Sequence, residues 1–159
     1  MSERLTEKIV RGFLKDNGYS TNPYITVEEQ TSKFKNIQRL LSKASKTKKG
    51  NKGFPEFIIT NLSFPEHIII IECKADIKKH SSKDLNDPQN YNVDGALHYS
   101  SYISKEFNVI SFAISGVKKT NLKISSFIQK KNKKPINLKN SHQKDIEKFL
   151  RFDELVNLA

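Results

Sequence analysis

The sequence predicts a single α/β domain, a mixed β-sheet flanked by α-helices, and three features predict it. Apolar residues recur at helical spacing over 5–14. Two β-branched runs flank a turn-prone segment within 56–75. A helical stretch at 91–107 leads into the nearly continuous apolar run NVISFAIS at 108–115. A strand without a polar face is one covered on both sides, as inside a helix-flanked sheet. With 159 residues, 36% of them hydrophobic, the chain can close one core but not two.

Along the chain, Leu5, Ile9, Val10, Phe13 and Leu14 form the apolar face of a first helix, and Asn17-Gly18 supplies its stop. Phe34, Ile37, Leu40, Leu41 and Ala44 form the face of a second, until SKASKTKKGNKG at 42–53 breaks the pattern as a mobile basic loop. EFIIT at 56–60 and HIIIIECKA at 67–75 then read as an antiparallel strand pair around NLSFPE. After a polar loop at 78–90, the helix at 91–107 carries Val93, Ala96, Leu97, Tyr99, Ser100 and Ile103 toward the sheet, and the following strand ends at Gly116. Residues 118–139 mix lysines with isolated apolar residues and read as a basic edge or loop, followed by a short helix at 141–150. The main folded core is therefore expected over about 5–116, with a basic C-terminal extension at 117–159. No internal repeat is present.

Charge narrows the function classes. Lys and Arg number 28 against 17 Asp and Glu, a formal net charge of +11 that favours a polyanionic partner. The single Cys73 excludes an intrachain disulfide and any zinc site built from paired cysteines, and fits a reducing compartment. The apolar run at 67–71 is far too short to cross a bilayer, and the N-terminus lacks a signal-peptide core. A cytoplasmic protein without a membrane partner is expected.

The chemistry concentrates at the end of the Ile-rich hairpin. Alternation puts Glu72 and Lys74 on the strand face of Ile68 and Ile70, with Cys73 on the other. Pairing centred on Phe64 sets Glu56 opposite Glu72. Facing carboxylates repel, so the ladder needs a cation or a proton between them. A hard divalent ion such as Mg²⁺ suits a few carboxylate oxygens, with phosphate or water filling its other positions. Lys74 is placed to offset negative charge that develops on a phosphate. A lone Glu-x-Lys is an ordinary solvated pair, and the second carboxylate is what sets this one apart.

Gly53-Phe54-Pro55-Glu56, an interval of 15 residues, and an apolar strand ending in Glu72-Cys73-Lys74 together resemble the PD-(D/E)xK nuclease superfamily. Within it, the similarity is to nuclease domains of type I and related combined restriction-modification enzymes, and it covers 5–116. The resemblance implies a restriction-endonuclease-like core that hydrolyses phosphodiesters of double-stranded DNA with Mg²⁺, for which Mn²⁺ can substitute. It also implies partner domains or subunits of a restriction-modification enzyme. It assigns Glu56 and Glu72 as metal ligands, Lys74 as the catalytic lysine and Glu7 as an acid on the first helix. The helix at 91–107 is similar to the family's Gln-x-x-x-Tyr helix through Tyr99, with Gly95 where the Gln would stand. Asp94 and His98, four apart and so on one helical face, are the accessory candidates there.

Lysine tracts at 46–52 and 130–134 share one sign, which favours DNA, and Lys48, Lys49 and Lys52 are the expected backbone contacts. Two rivals stand beside the nuclease reading. One is a nucleic-acid-binding module that keeps the fold without turnover. The other is an interaction domain for an acidic protein or membrane surface, because attraction alone does not identify the polyanion.

Overall fold

The computed structural model describes residues 3–138 and 151–158. The helix expected at 141–150 falls outside them. Six strands form one mixed sheet in sequential order: β1 (Ile25–Glu28), β2 (Phe57–Asn61), β3 (His67–Lys74), β4 (Asn108–Ser115), β5 (Lys123–Gln129) and β6 (Ile136–Asn137). Among the described residues four α-helices accompany it: α1 (Glu3–Asp16), α2 (Lys35–Leu41), α3 (Asn92–Ile103) and α4 (Phe152–Leu158). All neighbouring strands are antiparallel except β3 and β4, which run parallel because α3 carries the chain back between them.

The β2–β3 hairpin has the register that pairing about Phe64 requires: Phe57 faces Ile71, Ile58 faces Ile70 and Ile59 faces Ile69. Its turn is closed locally. Asn61 accepts the Ser63 N–H through its side chain at 2.8 Å and the Phe64 N–H through its carbonyl at 2.9 Å. Strand alternation then divides the apolar residues between the two faces of the sheet. Phe57, Ile59, Ile69, Ile71 and Cys73 pack with Phe112 and Ile114 against Val10 and Phe13 of α1 and Phe152 and Leu155 of α4. Ile58, Ile68, Ile70 and Val109 pack on the other face against Ile37 and Leu41 of α2 and Tyr99 and Ile103 of α3.

The first three expected helices and the central strands are present, with α3 ending at Ile103 rather than Phe107. The stretch read as a basic edge or loop is corrected in part: β6 is an edge, but β5 is a seven-residue inner strand paired along most of β4. Ser125 and Ser126 in its centre dilute the apolar pattern, and only pairing with β4 makes KISSFIQ a strand. The short edge strand β1 likewise lacks a periodic signal of its own.

Helix α1 is clamped to the end of the parallel pair. The Gly116 N–H donates to the Lys74 carbonyl at 2.8 Å, and the buried Thr6 hydroxyl donates to the Gly116 carbonyl at 2.5 Å. Glu7 is thereby held beside the C-terminal end of β3. Thr6→Val keeps the shape and removes the donor. Its unfolding free energy should fall by about 1–3 kcal/mol, the cost of orphaning a buried carbonyl. Urea denaturation at unchanged m-value measures it.

Candidate active site

Glu72 lies at the end of an isoleucine strand buried on both faces, so its carboxylate is 2% exposed and must be satisfied by protein groups. Two groups do this. The Glu56 backbone N–H donates to Glu72 Oε2 at 2.7 Å, and the Lys46 ammonium donates to Oε1 at 3.1 Å. Burial still pushes the Glu72 carboxyl above the ordinary glutamate range, and Lys46 and the Glu56 N–H pull against that shift. Burial is the largest single influence on the Lys46 charge and works against it, but Glu72, Tyr99 and Glu56 together outweigh it and hold the ammonium above the usual lysine range.

Glu56 stands just before β2, where hairpin pairing carries it alongside Glu72. Among the described residues its carboxylate accepts no hydrogen bond. Burial, followed by repulsion from Glu72 and Glu7, raises its pKa to about 7. The two acids are therefore neighbours, but through a backbone donor, and Glu72 is not left facing a bare like charge. Glu7 on α1 is half-buried, lies 3.5 Å from Arg11, and is close enough for its charge to act on Glu56. Lys74 is half-buried at the strand end, where its charge favours ionised Glu72.

Helix α3 and the GFPE segment build the wall. The Tyr99 hydroxyl accepts the Phe54 N–H at 3.2 Å, and burial, then Glu72, pushes its pKa up to about 12. Gly53 is needed beneath it, because a Cβ there would lie 2.6 Å from the Tyr99 ring and 2.7 Å from the Ala44 carbonyl. Gly95 leaves room of another kind. Its absent Cβ would sit 3.2 Å from Lys46 Cδ and 3.5 Å from Glu72 Oε1, so the Lys46 stem lies where a side chain at 95 would begin.

The other sequence candidates take different places. Asp94 is buried, but its carboxylate faces the 82–87 loop, accepting the Ser82 N–H and hydroxyl and the Asp87 N–H. His98 donates from Nε2 to the Ala44 and Ser45 carbonyls at 2.9 and 3.0 Å, pinning the base of the basic loop. Burial lowers its pKa, and the neutral Nε2–H tautomer suffices for both bonds. Neither touches Glu56 or Glu72.

The basic loop itself is closed by the Ser45 N–H on the Asn51 carbonyl at 2.8 Å. Lys48, Lys49 and Lys52 are exposed on its rim. Lys48 donates to the Asn86 carbonyl at 2.9 Å, and Lys52 lies over the half-exposed Phe54 ring. Sequence reasoning missed Lys46 as a site residue. In a lysine tract nothing local separates the one side chain that folds inward.

The donor set is hard and anionic, which suits Mg²⁺ or Mn²⁺ rather than a soft metal. Among the described residues no three His, Cys, Asp or Glu side chains are grouped closely enough to enclose an ion. Glu56 and Glu72 would hold it on one side, leaving its other positions to water and phosphate oxygen. No described helix is long and apolar enough to cross a membrane. Compared with known proteins, the chain matches no family model, no curated protein and no solved structure.

Glu56 makes stability depend on pH with a definite sign. Between its ordinary value of 4.5 and about 7, folded Glu56 holds a proton that the unfolded chain has released. Metal-free protein should therefore lose stability as pH rises through that window, and the loss should be complete above it. Glu56→Gln should flatten this part of the profile and exceed the wild type in Tm most clearly above pH 7. Parallel profiles in a series of thermal melts would remove Glu56 as the source.

Proposed function

We propose that the chain is a Mg²⁺-dependent DNA endonuclease domain with a restriction-endonuclease-like core, acting in the cytoplasm as the cleavage module of a restriction-modification enzyme. The observation that carries the reading is the hydrogen bond from the Glu56 backbone N–H to the Glu72 carboxylate at 2.7 Å, which sets the two acids side by side, near a lysine two positions beyond Glu72 and with Glu56 within electrostatic reach of a third acid, Glu7. A mixed sheet that places these groups at the end of its parallel strand pair supports it, as does the net charge of +11 around a local acidic cluster.

Each residue has a separate task in this reading. Glu56 offers oxygens that no described protein group uses, and Glu72 offers a carboxylate whose direction is set by the Glu56 N–H. Together they hold a divalent cation, which supplies Lewis-acid polarisation of a phosphoryl oxygen and activation of water. Lys74 stabilises the negative charge that grows on the phosphate oxygens as attack proceeds, in a site where burial strengthens the interaction. Glu7, held by the Thr6 clamp, orients groups on the helix side of the site. Lys48, Lys49 and Lys52 bind phosphates of double-stranded DNA without reading bases.

One observation favours the rival reading of a binding module without turnover. Both oxygens of Glu72 are engaged by protein donors. The two readings part in a nicking assay on supercoiled DNA. Cleavage should appear with Mg²⁺ or Mn²⁺ and vanish with chelator, and Glu56→Gln, Glu72→Gln and Lys74→Met should each lower it by roughly 10²–10³-fold. Salt-sensitive binding with no cleavage in either metal would favour the module.

Glu7→Gln should slow single-turnover cleavage at saturating DNA by about tenfold, or about 1.4 kcal/mol of transition-state stabilisation. An unchanged rate constant would reduce Glu7 to a helix-terminal charge. DNA affinity should fall steeply between about 50 and 200 mM salt and depend little on sequence.

A further inference from the structure

The Lys46 ammonium lies against the same Glu72 oxygen that a divalent cation would need, at 3.1 Å. Its side chain is 29% exposed while that of Glu72 is 2% exposed, so one end of this ion pair is sealed and the other opens to solvent. The slot it crosses runs past Gly95, where a Cβ would stand 3.2 Å from Lys46 Cδ, and the ammonium lies 5.9 Å from the centre of the Tyr99 ring. The backbone that carries it is fastened independently, by His98 to the Ala44 and Ser45 carbonyls and by Ser45 to Asn51. The stem of Lys46 can therefore leave the slot by rotating its own bonds while the loop stays in place.

We propose that Lys46 is the resident counter-cation of this site and that a divalent cation binds by expelling it. The proposal rests on the reading of Glu56 and Glu72 as a divalent-cation site. A dication is drawn to Glu72 twice as strongly as an ammonium at equal distance and repels that ammonium, so the two do not share Oε1. Until the ion arrives, Lys46 keeps a buried carboxylate from standing unpaired. Once expelled, Lys46 reaches the rim where Lys48, Lys49 and Lys52 already stand, and adds a positive charge for a phosphate. Cation binding and polyanion binding thereby reinforce one another through a single side chain, which acts as a positioning residue on Glu72. The competition also lowers the apparent affinity for metal, because the binding-competent state is the one with the slot vacated.

Amine acetylation of the wild-type protein, read residue by residue by mass spectrometry, tests this without relying on activity. Lys46 should react slowly in metal-free protein and several-fold faster at saturating Mn²⁺, while the exposed Lys130 should not change. In parallel, Mn²⁺ binding followed by the electron paramagnetic resonance of the free ion should be about tenfold tighter for Lys46→Met, since the variant has no ammonium to expel. Wild-type protein that binds Mn²⁺ with Lys46 labelling unchanged overturns the displacement and leaves the metal site standing. Failure of both the wild type and Lys46→Met to bind Mn²⁺ overturns the metal reading and the displacement together. Labelling uses the unaltered protein, so it decides the matter even if Lys46→Met folds poorly.

Discussion

A carboxylate sealed at the end of an isoleucine-rich strand has to be neutralised from within the protein, and the architecture around Glu72 follows from that need. An uncompensated buried charge is among the most destabilising features a fold can carry. Here one oxygen takes the Glu56 N–H and the other takes the Lys46 ammonium. Each partner then imposes its own requirement. The first depends on the GFPE segment lying flat against Tyr99, which needs Gly53 to have no side chain. The second runs past Gly95, where a Cβ would press on the Lys46 stem at 3.2 Å.

The sheet supplies the place where such a cluster can assemble. Only β3 and β4 run parallel, and the crossover through α3 lays that helix over one face while α1 covers the other. The C-terminal ends of parallel strands are where α/β sheets leave a crevice between the covering elements. Thr6 closes it from the α1 side through Gly116, and Tyr99 closes it from the α3 side through Phe54. Groups from the basic loop, GFPE and α3 thus gather around the carboxylate that β3 carries, while Glu7 of α1 acts on Glu56.

Electrostatics in this molecule runs in opposite directions on two scales. The chain as a whole carries +11, yet burial, followed by repulsion from Glu72 and Glu7, brings Glu56 to about 7. A concentrated negative spot inside a positive surface favours a small cation within and a polyanion around it. Lys46 stands on the boundary, belonging to the basic loop by sequence and to the acidic cluster by position.

Much of this was legible from local pattern. The β2–β3 register followed from where the turn must fall, and it brought Glu56 to Glu72. Strand alternation placed Glu72 and Cys73 on opposite faces, and a nearly continuous apolar run identified β4 as a covered strand. These features depend on residues near one another in the chain, whose periodicity the sequence displays directly. The roles of Lys46, Gly53, Gly95 and His98 were not legible, nor was β5. Lys46 is 26 residues from Glu72, Gly53 is shaped by a tyrosine on α3, and KISSFIQ becomes a strand only against β4. A lysine tract or a glycine looks the same whether it meets water or a buried carboxylate. Long-range packing alone decides which neighbour it has.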